Sequence, residues 1–224
     1  MDTRMNGIGM TSARTRDRLV ERLRAEGIAH EGVLERIRNV PRHLFVDEAL
    51  GSRAYENTAL PIGYGQTISQ PYIVALMTIA LISDLPPGVT LQKVLEVGTG
   101  CGYQTAVLAP FVQHIYSVER IHPLLEKAKQ HLRALGVNNA SLRHTDGWHG
   151  WRSQAPFQGI LCAAAPAEVP PELLEQLDDG GRLVIPVGGR GRQHLLRITR
   201  DGNEFRSREL SPVSFVPLVE GMES

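Results

Sequence analysis

Apolar residues follow a helical spacing in two stretches near the N-terminus. The first stretch contains Leu19, Val20, Leu23 and Ile28 and ends near Gly27, and the second contains Val33, Leu34, Ile37 and Val40 and stops before Pro41. These spacings predict two short amphipathic helices. A longer apolar run at 73–82 is about half the length that a bilayer-spanning helix needs, so it predicts a core helix, which Pro71 can begin.

Strand-like and helix-like patterns alternate from residue 93 onward. Strands are expected at 93–97, 114–118, 141–145, 159–164 and 182–187, and helices at 103–109, 123–135 and 171–177. This alternation predicts an α/β fold of the Rossmann-like, doubly wound type, with a mostly parallel sheet and helices on both faces. Gly180 and Gly181 suit a turn after the last helix. The runs beside Asp201 and Gly202 predict a C-terminal β-hairpin, and 214–219 predicts one further strand.

A glycine-rich turn follows the first of these strands. Gly98, Gly100 and Gly102 are spaced by two residues, and glycine there lets the main chain turn sharply and lets a ligand approach it. A dinucleotide-binding fingerprint would have its third glycine at position 103, where this chain has Tyr103, so an NAD site is disfavoured. The glycines alone are equally typical of a tight connection between a strand and a helix.

Acidic residues close the next two strands. Glu119 lies about twenty residues after the glycine turn, the distance at which an acid meets ribose hydroxyls in nucleotide-binding folds. A ribose-bearing cofactor is therefore favoured over a solvated strand end. Asp146 and Gly147 follow the third strand, where Asp146 can accept a hydrogen bond from the cofactor's base, although an Asp-Gly pair is also a common turn. The segment 63–71 is a polar loop rich in hydroxyl and amide groups.

The composition narrows the classes of partner. The chain has 224 residues, 42% of them hydrophobic, and a formal net charge of zero, so neither nucleic acid nor a membrane surface is expected as a partner. Cys101 and Cys162 give neither a disulfide framework nor a metal-ligand spacing, and we expect reduced thiols, no metal and a cytoplasmic location.

We expect a single domain after a short tail. Residues 1–16 lack the apolar stretch of a signal peptide and predict a disordered tail. The domain at 17–224 is expected to contain N-terminal helices with a substrate loop (17–92), a cofactor-binding core (93–190) and C-terminal strands (191–224).

Four motifs resemble those of one enzyme family. They are Val-Pro-Arg-His-Leu-Phe-Val at 40–46, Gly-Gln-Thr-Ile-Ser-Gln-Pro at 65–71, Leu-Glu-Val-Gly-Thr-Gly-Cys-Gly-Tyr at 95–103 and Gly-Gly-Arg-Leu-Val-Ile-Pro-Val-Gly at 180–188. Together they resemble the protein-L-isoaspartate (D-aspartate) O-methyltransferases, which depend on S-adenosylmethionine. The resemblance extends from Arg18 to Leu218. The glycine turn is shared by many methyltransferases, whereas the Thr-Ile-Ser-Gln-Pro loop is nearly specific to this family.

The resemblance implies a reaction and a set of site residues. The reaction is methyl transfer from S-adenosylmethionine to the free α-carboxylate of L-isoaspartyl residues in damaged proteins and peptides, with D-aspartyl residues as a further acceptor, which begins repair through a succinimide. The implied catalytic residue is Ser69, the substrate-binding residues are Thr67, Gln70 and Ala164, and the cofactor-binding residues are Gly98, Gly100, Gly102, Glu119, Asp146 and Gly147. The chain departs from the family pattern at Cys101, Thr145 and Gln158.

Alternatives stay open at this point. The acceptor of an S-adenosylmethionine-dependent enzyme can also be a small molecule, and a cofactor fold can be retained as a binding module without catalysis. Arg42 and His43 either approach the substrate or pack beneath the loop. Cys101 lies in the glycine turn at a helix start, where the pKa of a thiol can be lowered, and a bound cofactor is expected to protect it from alkylation. The residues around Ser69 are not the nucleophile elbow of a serine hydrolase.

Overall fold

The computed structural model describes residues 9–85, 89–189 and 191–223. The helices are α1 (Ala13–Ala25), α2 (Glu31–Asn39), α3 (Pro71–Ile82), α4 (Tyr103–Leu108), α5 (His122–Ala134) and α6 (Pro171–Glu175). The strands are β1 (Leu60–Gly63), β2 (Gln66–Ile68), β3 (Leu91–Val97), β4 (Val112–Glu119), β5 (Ala140–His144), β6 (Phe157–Cys162), β7 (Leu177–Val187), β8 (Gln193–Asp201) and β9 (Glu204–Val213).

Seven strands form the main sheet in the order β5-β4-β3-β6-β7-β8-β9. The first five strands in this order are parallel to one another, and β8 and β9 add an antiparallel hairpin at one edge. The predicted α/β fold class is therefore confirmed. The chain runs outward from β3 to β4 and β5, and then returns to the other side of β3 as β6. This reversal opens a crevice beyond the carboxyl ends of β3 and β6, where such sheets bind their ligands.

The central strands are apolar because both faces of the sheet are covered. Val94 and Leu95 of β3 are fully buried and point to opposite faces, into different clusters of core residues. Except for the last parallel strand, the strand and helix boundaries predicted from residue 93 to the hairpin agree with the structure to within two residues. Gln158 of β6 accepts a hydrogen bond from the Gln92 backbone N–H, which holds the beginnings of the two strands together.

The last parallel strand differs from the prediction. Gly180 and Gly181 were assigned to a turn, but they lie inside β7, which begins at Leu177. The register between β6 and β7 shifts between Phe157 and Gly159, and Gly180 has a φ of +69°. The two glycines therefore form an irregularity within the strand, a conformation that an apolar pattern does not reveal.

The N-terminal helices begin earlier than expected. Helix α1 begins at Ala13, inside the predicted tail of 1–16, and Arg16 is buried. Residues 1–8 of that tail lie outside the described residues, and the division into subregions stays a prediction. Helices α1 and α2 pack on each other and bury the apolar residues that the spacing indicated.

The polar loop predicted at 63–71 is in fact part of a small hairpin. Strands β1 and β2 pair antiparallel, and the chain then enters α3 with Pro71 at its first turn, as predicted. Helix α3 is apolar on all sides because it packs between the α2–α4 layer and the sheet. Of the helices described, none is long and apolar enough to cross a membrane.

The strand predicted at 214–219 is wrong. The segment makes one parallel bridge, between Ala165 and Pro217. The Ala165 N–H donates to the Val216 carbonyl over 2.8 Å, and the Leu218 N–H donates to the Ala165 carbonyl over 2.9 Å. Pro217 has no N–H with which to extend the pairing.

A buried polar network lies beneath the glycine turn. Glu96 of β3 is fully buried, and its Oε2 accepts hydrogen bonds from the Ser117 hydroxyl at 2.5 Å and the Thr105 hydroxyl at 2.6 Å. Ser117 in turn contacts the Thr99 hydroxyl at 2.6 Å. Burial raises the pKa of the Glu96 carboxyl to about 7, although the two hydroxyl donors oppose that rise. The network joins β3, β4 and α4 immediately below the turn.

Replacing Glu96 by glutamine should change how stability depends on pH. Because the folded-state pKa is raised from 4.5 to about 7, wild-type protein loses stability as pH rises through that window. Glu96→Gln imitates the protonated form and should be more stable than wild type at about pH 8, by at most about 3 kcal/mol, with a smaller difference at about pH 5. Urea unfolding at the two pH values measures this. A difference that does not depend on pH would contradict the assignment.

Candidate active site

One cavity of about 290 Å³ lies beyond the carboxyl ends of β3, β4 and β6. It is lined by the β1–β2 hairpin and the residues after it (Ile62, Gly65–Ser69), the glycine turn (Val97–Cys101), α4 (Tyr103, Gln104), the end of β4 (Val118–Ile121), and by Val74, Gly147, Ala163, Ala164 and Val216–Val219. The sheet crevice thus acquires walls from two segments outside the doubly wound core, the hairpin and the C-terminal segment.

The glycine turn has the conformation that its sequence predicts. Gly98 and Gly100 have φ values of +89° and +54°, a region that side-chain-bearing residues rarely adopt. The turn is fastened to β4, because the N–H groups of Gly98 and Thr99 both donate to the Val118 carbonyl, at 2.9 and 3.2 Å. The main chain of the turn therefore forms a fixed part of the cavity wall.

Gly102 has a different role from the one that spacing indicated. It does not line the cavity, and a Cβ at this position would lie 3.3 Å from the Ala128 Cβ and 3.4 Å from the Leu132 Cγ of α5. Its φ is +88°. In this structure Gly102 therefore allows α5 to pack closely against the start of α4.

The Glu119 carboxylate joins two loops at the base of the cavity. Its Oε2 accepts from the Gly100 N–H at 2.8 Å, and its Oε1 accepts from the Ile121 N–H at 2.9 Å. The residue is only 5% exposed, and no basic side chain pairs with it among the described residues. The neighbouring Thr145 donates its backbone N–H to the Glu119 carbonyl at 3.0 Å, a bond that any residue can make. Each carboxylate oxygen keeps a lone pair for a ligand.

Gly147 and Asp146 differ in their exposure to the cavity. Gly147 lines it, and a Cβ there would lie 2.6 Å from the Val97 Cγ1, so only glycine fits. Asp146 does not line the cavity, and both of its oxygens accept backbone N–H bonds, from Trp148 at 2.8 Å and from Gly221 at 2.6 Å. The carboxylate therefore fastens the C-terminal segment beside the site.

Of the four residues predicted to act on the acceptor, three line the cavity and one does not. Ser69 and Thr67 line the cavity from the hairpin side, and Ala164 lines it after β6. Gln70 precedes α3 at its N-cap position and does not line the cavity. The structure thus brings Ser69, Thr67 and Ala164 together with Gly98, Gly100, Glu119 and Gly147, and leaves Gln70, Gly102 and Asp146 outside the lining.

The C-terminal segment is a part of the site that the sequence pattern did not indicate. Val216 to Val219 line the cavity, and Arg120 holds the chain beyond them by donating to the Gly221 carbonyl at 2.9 Å and to Glu223 Oε2 at 3.0 Å. The resemblance extends to Leu218, but no periodicity marks this stretch as a wall. Ile62 of β1 was missed for the same reason.

Arg42 and His43 lie outside the cavity. The fully buried Arg42 guanidinium donates to the Ala54 carbonyl at 2.9 Å and the Thr58 carbonyl at 3.3 Å, and it lies 4.8 Å from the centre of the Tyr103 ring. Burial lowers the pKa of Arg42. His43 Nδ1 lies 2.8 Å from the Tyr55 hydroxyl. Of the two interpretations, packing beneath the loop is the one that the structure supports.

Cys101 lines the cavity, as its place in the glycine turn predicts, but its thiol does not have a lowered pKa. Cys101 is 5% exposed, and burial raises the pKa of its thiol to about 11. The effect of burial on the pKa is thus larger than the opposite effect of the nearby helix start. Cys162 is fully buried, with its thiol pKa raised to about 12. Within the described ranges, no group of His, Cys, Asp or Glu side chains is arranged to hold a metal ion.

Comparisons with known proteins agree with one another. A family profile described as protein-L-isoaspartate(D-aspartate) O-methyltransferase matches residues 14–223. Protein-L-isoaspartate O-methyltransferases of Alcanivorax borkumensis and Halorhodospira halophila are 58% and 60% identical over 222 and 215 residues, and these alignments cover 99% and 96% of both chains.

Solved structures show the same likeness. A protein-L-isoaspartate O-methyltransferase superposes with a TM-score of 0.81 at 25% identity, covering 92% of this chain and 67% of its own. A Plasmodium falciparum protein assigned to the same activity, in complex with S-adenosyl-L-homocysteine, superposes with a TM-score of 0.77 at 26% identity, covering 91% of this chain and 98% of its own.

Both cysteines should react slowly in the folded protein. With a thiol pKa of about 11, Cys101 is a thiolate in only about one molecule in a thousand at pH 8, and it is also shielded from solvent. Alkylation by iodoacetamide, followed by intact-mass analysis, should be at least ~100-fold slower than for an unstructured peptide thiol. Denatured protein, in which both thiols react, is the control. Rapid labelling of native Cys101 would refute the buried placement.

Proposed function

The chain belongs to the protein-L-isoaspartate(D-aspartate) O-methyltransferase family, and from this membership we propose that it transfers a methyl group from S-adenosylmethionine to the free α-carboxylate of L-isoaspartyl residues in damaged proteins and peptides. D-Aspartyl residues, through their β-carboxylate, are the second acceptor. The methyl ester formed then leads to a succinimide, which begins repair. The observation that carries this proposal is one cavity that contains the glycine turn, Glu119 and Ser69 together.

The residues at the base of the cavity fit the cofactor. Gly98 and Gly100 present main chain without a Cβ to the cavity, which suits the methionine end of S-adenosylmethionine. Glu119 is held by two backbone N–H groups and keeps lone pairs for the two ribose hydroxyls. Gly147 leaves room on the adenine side. Asp146, whose oxygens are held by Trp148 and Gly221, would act there from just outside the lining.

The carboxylate of the acceptor needs to be oriented more than it needs to be activated. An α-carboxylate has a pKa near ~3.5 and is ionised at neutral pH, so it needs no general base. Ser69 and Thr67 are hydroxyl donors on the hairpin wall, and we assign them to orienting the carboxylate, with Ser69 as the residue nearest the reaction and Gln70 supporting the loop. The small side chain of Ala164 lets a peptide backbone come close. His43, in contact with Tyr55, is not required as a base.

Catalysis then depends on aligning the acceptor carboxylate with the methyl group of the cofactor inside the cavity. S-Adenosylmethionine, when bound, supplies an activated methyl group on a sulfonium. The hairpin and the C-terminal segment border the cavity, and the hydroxyls would hold the carboxylate beside the methyl group. Proximity of this kind can contribute ~7–11 kcal/mol. The acceptor is a protein or peptide and not a polyanion, in keeping with the zero formal net charge. We place the activity in the cytoplasm, where the two free thiols stay reduced.

One assay tests the proposed function directly. The protein is incubated with methyl-labelled S-adenosylmethionine and either an isoaspartyl peptide or its ordinary aspartyl twin of the same sequence. We expect label on the isoaspartyl peptide, released by base as methanol from an ester, and none on the twin. Labelling of both peptides alike, or of neither, would defeat the proposal, and labelling of a small-molecule acceptor alone would support the alternative.

Replacing Glu119 should weaken cofactor binding. Glu119→Ala removes the acceptor for the ribose hydroxyls and frees the Gly100 and Ile121 N–H groups, so S-adenosylmethionine affinity should fall by about 1.5–3 kcal/mol. Calorimetric titration well below the thermal transition measures the affinity. Glu126→Ala, which removes a carboxylate of α5 that pairs with Lys129 outside the cavity, should bind the cofactor like wild type. Equal affinity in the two variants would sink the Glu119 assignment.

Replacing Ser69 should separate orientation from cofactor binding. Ser69→Ala should lower turnover on isoaspartyl peptide about 10-fold or more by loss of a hydrogen bond to a charged group, with cofactor affinity nearly unchanged. In wild type the single-turnover rate should stay nearly flat from about pH 6 to 8, because the carboxylate is already ionised. A steep sigmoid near pH 6.5 would indicate a histidine base. A covalent adduct on Ser69, seen by intact mass, would defeat direct transfer.

A further inference from the structure

Tyr64 at the tip of the β1–β2 hairpin has a backbone conformation that aromatic residues rarely adopt. Its φ is +53°, and Gly65 follows with +66°. Positive φ at both central residues characterises the type I′ hairpin turn, whose first position favours Asn, Asp or Gly because a bulky side chain crowds the backbone there. The chain thus keeps a large aromatic residue where a smaller one would give a more stable turn.

Among the described residues, no ring contact or phenol hydrogen bond offsets the conformational cost of Tyr64 at this turn. The Tyr64 side chain is 50% exposed. Across the part of the chain that the structure describes, no ring contact and no hydrogen bond involves its phenol. The one bond to this residue runs from Gln66 Nε2 to the Tyr64 carbonyl at 3.2 Å, and any residue offers a carbonyl. Local strain at a half-exposed aromatic side chain that makes no ring contact and no phenol hydrogen bond within the described residues indicates a function.

The position of the hairpin shows where that function lies. Ile62, Gly65 and Gln66, on either side of Tyr64, line the cavity of the candidate active site. A second exposed apolar side chain, Val219, is 44% exposed and belongs to the C-terminal segment that lines the same cavity. Two of the exposed large apolar side chains are therefore on the two segments that border the opening.

We propose that Tyr64 is a specificity-determining residue, which binds an apolar side chain next to the isoaspartyl residue in the polypeptide substrate. The inference rests on the proposed function, because only a polypeptide acceptor must continue beyond the cavity. A cavity of about 290 Å³ holds the acceptor group, so the flanking residues lie across its rim. The hairpin from Leu60 to Ile68 contains no charged residue, so this contact is apolar and not an ion pair.

Paired peptides test this role. Two sets of isoaspartyl peptides are compared, identical except for leucine or serine immediately before, or immediately after, the isoaspartyl residue. Wild type should favour leucine in kcat/KM on at least one side. In Tyr64→Asn the ratio of kcat/KM for the leucine peptide to kcat/KM for the serine peptide should fall toward one. KM for the leucine peptide should rise about three- to tenfold, which is equivalent to the loss of one aromatic contact. S-Adenosylmethionine affinity should not change.

The thermal midpoint distinguishes this role from a structural one, because a structural role for Tyr64 predicts that its replacement lowers the midpoint. Because asparagine suits the I′ turn, the thermal midpoint of Tyr64→Asn should equal or exceed that of wild type. Tyr64→Phe should keep the leucine preference. Phe205→Ser, which removes an aromatic side chain 42% exposed on β9, is the matched control and should also keep it.

The outcomes separate the two proposals. An unchanged leucine preference in Tyr64→Asn, an absent preference in wild type, or a lowered thermal midpoint together with weaker activity on all peptides would overturn the role of Tyr64. If wild type methylates none of the isoaspartyl peptides, the proposed function itself fails, and the Tyr64 inference fails with it.

Discussion

A single buried carboxylate holds the candidate site together. Glu119 ends β4 and accepts one backbone hydrogen bond from the glycine turn and one from the start of the next loop, so two loops that follow neighbouring strands share one anchor. Burying a carboxylate is costly unless hydrogen bonds satisfy it, and these N–H groups do so without a basic partner. The geometry of the cavity base, and the orientation of the group expected to bind ribose, depend on this one arrangement.

Two carboxylates on adjacent strands meet different surroundings and therefore do different work. Glu96, on β3, has only the hydroxyls of Ser117 and Thr105 as donors, and burial raises the pKa of its carboxyl to about 7. Glu119, on β4, reaches backbone N–H groups at the end of the sheet and lines the cavity. The first supports the glycine turn from below through Ser117 and Thr99, and the second is available to a ligand. The two carboxylates therefore differ in the donors within reach and in their access to the cavity.

The proposed acceptor side of the cavity is built by additions to the doubly wound fold. The β1–β2 hairpin brings Ser69 and Thr67 to the opening, and the C-terminal segment, fastened by Arg120 and Asp146, forms the facing part of the lining. A Rossmann-like core supplies a cofactor crevice that many enzymes share, so the choice of acceptor must come from such additions. In this chain they carry neutral hydroxyls and exposed apolar side chains, which suit a carboxylate presented on a polypeptide.

Features whose physical cause is local could be predicted from the amino-acid sequence. Parallel strands buried on both faces require continuous apolar runs, a left-handed turn requires glycine, and Glu119 stands at a fixed distance from that turn. The family motif predicted that Ser69 belongs to the site, and Ser69 does line the cavity. Tertiary structure decided what depends on residues far apart in the chain. Gly102 packs against α5, Asp146 binds the Gly221 N–H 75 residues away, and burial by distant segments raises the pKa of Cys101. The segment 214–219 became a cavity wall through its contact with Ala165. No periodicity encodes such contacts, because each exists only once the sheet has brought its partners together.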